Sequence, residues 1–323
     1  MQKIIFYASL IVGFILLVLP SCNEIKSVDS TYTDQEGTVL VVLGTIQDAG
    51  SPQAGCNRKC CAGLYTSPDV NRNVVSIGVI DYAAGKKWMF EATPDFTSQV
   101  NMLNDHLGVE DGATPDGIFL THAHIGHYTG LMYLGKEAIG SSAVPVYAMP
   151  RMRKFLTENG PWSQLVSNNN ITLQPIKDKV TIQLTPGLKV TPFLVPHRDE
   201  FSETVGYRIE GPRKKVLFIP DIDKWVKWET SIMEEIQKVD LAYLDATFYD
   251  GEELNYRAMS EVPHPFIVES MELFKDLPAS EKSKIHFIHF NHTNPALDKS
   301  SMKYAEVINN GFKIAETGEM VKL

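Results

Sequence analysis

The sequence predicts an α/β protein built as two β-rich layers with helices on their outer sides. Strand-like and helix-like segments alternate along both halves of the chain, and each half opens with strands. The composition, 44% hydrophobic and 21% charged over 323 residues, is that of an ordinary globular chain able to bury one large core. Length alone would suggest two domains at ~150 residues each. The candidate ligand residues, however, run from His122 to His292, which argues for a single domain over residues 37–323.

The first 22 residues stand outside that domain. Lys3 supplies a positive start, Ile4–Leu19 is an almost unbroken apolar run, and Leu19, Pro20, Ser21 and Cys22 follow. A charged start, an apolar stretch and a small residue before the break make a secretory signal. The run of 16 residues is short for the ~20 that a spanning helix needs. A Cys directly after a small residue resembles a bacterial lipobox, which implies that Cys22 is lipidated and becomes the mature N-terminus. The expected location is then the cell envelope, with the protein held to a membrane by lipid and facing the periplasm or exterior. An uncleaved anchor and plain secretion are the alternatives. Residues 23–36 are polar and read as a tether.

Thr38–Gly44 (TVLVVLG) reads as a buried first strand, and a loop rich in Gly, Pro and Cys follows from Thr45 to Pro68. Val74–Asp81 and Lys87–Glu91 flank Ala83, Ala84 and Gly85 as a hairpin. Thr93, Pro94 and Asp95 should cap a helix reaching about His106, with Pro at its first turn. Gly117–Thr121 is a short apolar strand that ends at a histidine cluster. Helices are expected near Gly130–Ala138 and Met149–Glu158, and several alternating runs lie within Ile171–Val195. Val205–Glu210 and Lys215–Ile219 are strands, and a helix near Glu229–Val239 leads into a strand at Leu241–Leu244. An amphipathic segment at Pro265–Leu277, a strand at Ile285–Ile288 and a helix at Ser301–Asn310 complete the order.

The chemistry centres on residues 118–131, IFLTHAHIGHYTGL, in which an apolar strand runs into His122, His124 and His127. His122 and His124 would share a face if the strand continued. One histidine alone is usually structural; three imidazoles within six residues directly after a strand suit a divalent metal. The segment resembles the His-x-His-x-Asp-His motif of the metallo-β-lactamase superfamily, with Gly126 in place of the Asp. That resemblance implies a four-layer αββα sandwich. It also implies that His122 and His124 bind one metal and His127 a second. His197 looks like the third histidine of the first metal, Asp221 like the bridging carboxylate, and His289 like the last ligand of the second; each ends a predicted strand. Because Gly126 cannot ligate, the first metal is expected to be held more tightly than the second, and Gly126→Asp is expected to strengthen the second, provided the loop can take a side chain there. His286, out of phase with His289, and His106 read as structural.

Further segments are similar to one branch of that superfamily. They are GTIQDAGSPQ (Gly44–Gln53), ATPD (Ala92–Asp95), YTGL (Tyr128–Leu131), LDAT (Leu244–Thr247) and IHFNHTNP (Ile288–Pro295). Together they resemble the pyrroloquinoline quinone biosynthesis protein B family and the related phosphodiesterase of the carbon–phosphorus lyase pathway. The quinone-pathway proteins typically lack the first two histidines and keep the Asp, whereas this chain has His122 and His124 and lacks the Asp. Beyond Cys22 the chain has three cysteines, Cys56, Cys60 and Cys61, an odd number that cannot all pair internally. A free thiol, an intermolecular bridge and a metal are the options. In the resembled branch a Cys-rich loop after the first strand binds a structural zinc. The same resemblance makes His292, three residues after His289, the fourth ligand of a Cys₃His set. A disulfide with one spare thiol is the rival.

The expected activity is hydrolysis of an ester-like bond, with phosphodiesters as one candidate, in a small-molecule substrate. A bound ion lowers the pKa of water toward ~7 and polarises the bond to be cut, so no protein nucleophile is required. One or two zinc ions are expected, with iron or manganese as alternatives. Asp221 would bridge metals or orient water, and His264 would protonate a leaving oxygen. Asp245 would hold a ligand histidine by a hydrogen bond, and Arg198 would face an anionic substrate or make a surface salt bridge. An iron-dependent oxygenase and a non-catalytic binding protein are the competing readings. The net charge of -9 and pI near 5.5 argue against a nucleic-acid partner. Nothing in the sequence sets an oligomeric state.

Overall fold

A computed structural model describes residues 36–109, 113–254 and 261–323. The expected signal, its Cys22 and all of the tether but Glu36 lie outside the described residues.

Two seven-stranded sheets make the frame. The first contains β1 (Thr38–Gly44), β2 (Ser76–Asp81), β3 (Lys86–Phe90), β4 (Gly117–Phe119), β5 (Val144–Ala148) and β6 (Ile171–Pro175), in that spatial order, with β14 (Met320–Lys322) beside β1. The second runs β7 (Ile182–Thr185), β8 (Leu188–Leu194), β9 (Val205–Glu210), β10 (Lys215–Ile219), β11 (Leu241–Asp245), β12 (Ile285–Ile288) and β13 (Lys313–Ile314). The helices are α1 (Lys59–Ala62), α2 (Phe96–Leu107), α3 (Ile125–Tyr128), α4 (Pro150–Glu158), α5 (Trp162–Ser167), α6 (Ile232–Gln237), α7 (Ile267–Leu273), α8 (Ala279–Lys282) and α9 (Met302–Asn309).

The unbroken apolar runs follow from burial on both faces. In β1, Val39, Val41 and Leu43 pack outward with Phe96 and Leu103 of α2 and Met152 of α4. Leu40 and Val42 of the same strand point inward, among Phe90, Phe119, Tyr207, Phe218 and Tyr243 between the sheets. The outer face of the second sheet is closed by Ile232 and Ile236 of α6, Ile267 of α7 and Val307 of α9. The result is a four-layer αββα sandwich. Each fully buried Leu, Val or Phe in these layers contributes about 1.5–3 kcal/mol.

Several local expectations differ. The helix expected at Gly130–Ala138 is a 3₁₀ turn over Thr129–Leu134. Gly130 donates its N–H to the Ala92 carbonyl (2.8 Å), and a Cβ there would meet the Thr93 carbonyl oxygen at 2.1 Å. The segment is therefore pressed onto the end of β3 and cannot wind as a free helix. Asp95 precedes α2, but its Oδ2 accepts from the Val74 N–H (2.7 Å) and caps nothing, and Pro94 stays outside the helix. Strand β5 (VPVYA) was not expected; its alternating burial marks a strand with one half-exposed face. The amphipathic segment near Pro265 is helical only over Ile267–Leu273.

Candidate metal centre

Strand direction gathers the site. β1, β3 and β4 run the same way in the first sheet, and β8, β10, β11 and β12 run the same way in the second. The carboxyl ends of each set therefore lie at one edge of their sheet. Asp48 follows β1, Glu91 follows β3, His122 follows β4, His197 follows β8, Asp221 follows β10, Asp245 closes β11 and His289 follows β12.

The first donor group is His122, His124, His197 and Asp221, with one ligand atom from each within 4.8 Å of the others. Asp221 Oδ2 lies 3.3 Å from His122 Nε2, 3.2 Å from His197 Nε2 and 3.9 Å from His124 Nδ1. Donors on one ion at about 2.0–2.1 Å sit roughly 3–4 Å apart, so this spacing fits a shared ion. His122 Nε2, His124 Nδ1, His197 Nε2 and Asp221 Oδ1 are buried without a hydrogen bond of proper geometry. An unsatisfied buried polar group costs about 1–3 kcal/mol, and three such imidazole nitrogens meeting at Asp221 Oδ2 fit a cation that satisfies them together. The remaining ring nitrogens are anchored: His122 Nδ1 to Thr121 Oγ1 (2.8 Å), His197 Nδ1 to Asp223 Oδ1 (3.2 Å) and His124 Nε2 to Glu200 Oε2 (3.2 Å). Such partners fix the tautomer and the ring orientation that ligation needs.

Burial, with His127 nearby, pushes His122 well below the ordinary histidine range, which keeps it neutral and able to ligate. Burial also opposes charge on His197, but the Asp221 and Asp223 carboxylates outweigh it and push the ring up to about 9. Burial likewise works against the Asp221 carboxylate, yet His197 and His264 hold it well below the usual carboxylate range. A cation and a proton compete for this cluster, and the carboxylate draws in either.

The second group is Asp48, His127, Asp221 and His289. Asp48 Oδ1 is 2.9 Å from His127 Nε2 and 3.1 Å from His289 Nε2. Sequence reasoning passed over Asp48. It missed Glu91 too, whose buried Oε1 stands 3.2 Å behind His127 Nδ1. Glu91 and His289 both hold positive φ, 84° and 68°, a strained choice for residues other than Gly and one that recurs at functional sites. The expectation that Gly126→Asp would strengthen this group fails on sterics. A Cβ on Gly126 would stand 2.4 Å from Asp48 Cα, so the position has no room for a side chain.

His264 sits between the groups' carboxylates. Its Nδ1 is 2.8 Å from Asp245 Oδ2 and 3.2 Å from Asp221 Oδ1. Burial opposes its charge, but these two carboxylates push it up to about 10. Asp245 was expected to hold a ligand histidine; instead it bonds His264, and Thr247 Oγ1 meets His289 Nδ1 at 2.8 Å. Asp245 Oδ1 accepts from Thr247 Oγ1 (2.7 Å), so its link to His289 runs through that hydroxyl. His264 also lines a cleft of about 440 Å³ with Gln47, Gln53, Arg198, Lys227 and Phe248. Arg198 is largely exposed and 3.9 Å from Glu200. His286 pairs with Glu319 at 3.2 Å, and His106 lies in α2; neither joins a donor group.

Cys56, Cys60, Cys61 and His292 form a separate donor group. The Sγ atoms of Cys56 and Cys60 are 3.8 Å apart and those of Cys60 and Cys61 3.9 Å. All three are free thiols at distances far beyond a bonded ~2.05 Å, so no disulfide joins them in this structure. His292 Nδ1 is 3.1 Å from Asn291 Oδ1, which leaves Nε2 for the thiols. Burial, with Cys56 beside it, pushes the Cys61 thiol up to about 12 where no cation is bound. Three thiols and an imidazole make a donor set for a closed tetrahedral ion.

A sandwich with both donor groups at the carboxyl ends of its strands defines a class, and the comparisons agree: residues 87–287 match the Beta-lactamase superfamily domain, and the chain belongs to that superfamily. Among curated proteins it is similar to Coenzyme PQQ synthesis protein B of Xanthomonas euvesicatoria pv. vesicatoria (strain 85-10), 24% identical over 310 residues, covering 88% of this chain and 99% of the relative. The protein of the same name from Klebsiella pneumoniae is 27% identical over 313 residues, covering 88% and 98%. Among solved structures, Zn(2+)-bound PqqB from Methylobacterium extorquens superposes with a TM-score of 0.72 at 22% identity, covering 88% of this chain and all of that one. A diphosphatase from the PhnP family follows at 0.61 and 21%, covering 88% and 96%. At these identities the structural matches establish the fold.

Proposed function

We propose that the chain is a metal-dependent hydrolase that cleaves an anionic ester-like bond, of the phosphodiester or diphosphate class, in a small-molecule substrate. The observation that carries this reading is the meeting of three buried, unpartnered imidazole nitrogens at Asp221 Oδ2, while a further histidine, His264, meets its Oδ1. Divalent ions held by the two donor groups would supply Lewis acidity and a water ionised near neutral pH. The chain's own residues do the rest. Asp245 and Asp221 keep His264 Nδ1 protonated and turn the ring toward the cleft, so Nε2 is the nitrogen that hands a proton to the departing oxygen. Lys227 is paired with Asp223 at 2.7 Å and Glu261 also lines the cleft, so the largely exposed Arg198 is the cation it offers a substrate's negative charge, and Phe248 gives it an apolar wall. The PhnP-family diphosphatase among the similar structures supports the choice of phosphorus esters.

In the same reading Cys56, Cys60, Cys61 and His292 hold a structural zinc, and Cys22 carries lipid that ties the protein to the cell envelope. The zinc rests on the donor geometry, the lipid on the sequence alone. Metal analysis of protein purified without chelators, then assay of an aryl phosphodiester and a dinucleoside diphosphate with Zn, Mn and Fe, tests the activity. Turnover that His122→Ala abolishes is expected. An iron-loaded protein that consumes oxygen and hydrolyses neither substrate would favour the oxygenase reading instead.

A further inference from the structure

We propose that Asp48 is a ligand of the second ion, taking the place of the carboxylate that Gly126 lacks, and that Gly126 is what admits it. The inference rests on the two-ion reading above.

Three observations carry it. Asp48 Oδ1 bridges the two histidines of the second group at 2.9 and 3.1 Å, close to the separation of donors sharing one ion. Those partners stand 79 and 241 residues away in sequence, so the meeting is a product of the fold. The backbone delivers Asp48 there as well. Gln47 donates its N–H to the Phe290 carbonyl (2.8 Å), the Phe290 N–H is donated to the Thr45 carbonyl (2.8 Å), and Gly50 closes a turn onto the Gln47 carbonyl (2.9 Å). Ile46 bridges Val74 and Phe290 in the parallel sense. This seam stitches the end of β1 to the segment after β12, so the Asp48 Cα is held beside His289.

The third observation is steric. A Cβ at position 126 would lie 2.4 Å from Asp48 Cα, 2.6 Å from its Cβ and 2.7 Å from its Cγ. Contacts under 3 Å to a backbone atom cannot be relieved by rotating a side chain. A side chain at 126 and an Asp48 in this pose are therefore mutually exclusive. One carboxylate fits the spot, and with this backbone the β1 loop is the segment that presents it. With Asp48 counted, the second group has two carboxylates and two imidazoles, against three imidazoles and one carboxylate in the first. The charge thought missing from the second group is present, and the two ions should be held with comparable strength.

The test counts zinc ions on the full chain by native mass spectrometry and measures their release to a chelator. It uses wild type, His122→Ala, His127→Ala, Asp48→Asn and Gly126→Asp. Asp48→Asn keeps the shape of the loop and should lose one ion, or hold it at least tenfold more weakly, while the ion that depends on His122 stays. Gly126→Asp should also weaken the second ion. Retention of the His122-dependent ion in Asp48→Asn separates the loss of one ligand from a damaged fold. Asp48→Asn with the wild-type count and release rate would overturn the proposal. So would an ion that His122→Ala removes with none that His127→Ala removes; the first site then stands and Asp48 serves only to orient two rings. If neither histidine variant loses an ion, the two-ion reading itself falls.

Discussion

Replacing Glu253 by Gln should make the protein more stable at pH 8 and leave it unchanged near pH 4.5. Glu253 accepts hydrogen bonds from the Tyr249 N–H (2.6 Å) and from Thr293 Oγ1, and so joins one wall of the cleft to the segment that carries His289 and His292. Burial raises its carboxyl from 4.5 to about 7, against the lowering effect of those bonds. The folded chain therefore binds this proton more tightly than the unfolded chain does. Its contribution is fully present below the unfolded value and is lost as pH rises through the folded one. A rise of about 2.5 units at 1.36 kcal/mol each gives about 3 kcal/mol; partial exposure reduces this to about 1–3 kcal/mol. Gln is neutral at every pH, so the variant should escape the loss. Urea unfolding of both zinc-loaded proteins at pH 5 and pH 8 measures it, because titration of the other groups cancels in the difference. Curves that stay parallel between the two proteins would refute the reasoning.

Three more outcomes are expected. His264→Asn should lower kcat by about 10²–10⁴ with the metal count unchanged, since the ring is argued to donate a proton and not to ligate; lost zinc would make it a ligand instead. Cys60→Ser should remove one zinc and lower the thermal midpoint by roughly 2–4 °C for each kcal/mol of lost stabilisation, read by scanning calorimetry. The native protein should show no residues before Cys22 by mass spectrometry, and a Cys22→Ala protein that stays membrane-bound and unprocessed would favour an uncleaved anchor instead.

The parts that were legible in the sequence are those whose signal is local. TVLVVLG reads as a doubly covered strand because every residue in it is apolar, and β1 is buried throughout. His122, His124 and His127 read as ligands because a motif packs them into six residues at a strand end. His197, Asp221 and His289 come from the family resemblance, supported by the rule that a polar residue just past a buried strand faces a cleft. Asp48 and Glu91 obey that rule too, and were passed over because neither belongs to the motif. Glu91 stands directly after β3, and Asp48 four residues beyond β1 in a loop whose course only the Phe290 seam reveals. The short strand β5 carries a proline and escaped notice, and the turn at Gly130 read as a helix because nothing in its own residues reports the carbonyl at Thr93 pressing on it.

A motif with one ligand missing invites the reading that a metal has been lost. Coordination, though, depends on where donor atoms lie and not on which strand end supplies them. In this fold at least six strand ends open on one edge, so several backbone segments can reach the same point. A glycine at the motif's acidic position is then informative in the opposite direction. Among the ordinary residues only glycine leaves the volume in which Asp48 sits, and a lost ligand would have been served as well by Ala or Ser. Gly126→Ala, which adds no donor and removes none, should therefore displace Asp48 and weaken the second ion as Asp48→Asn does.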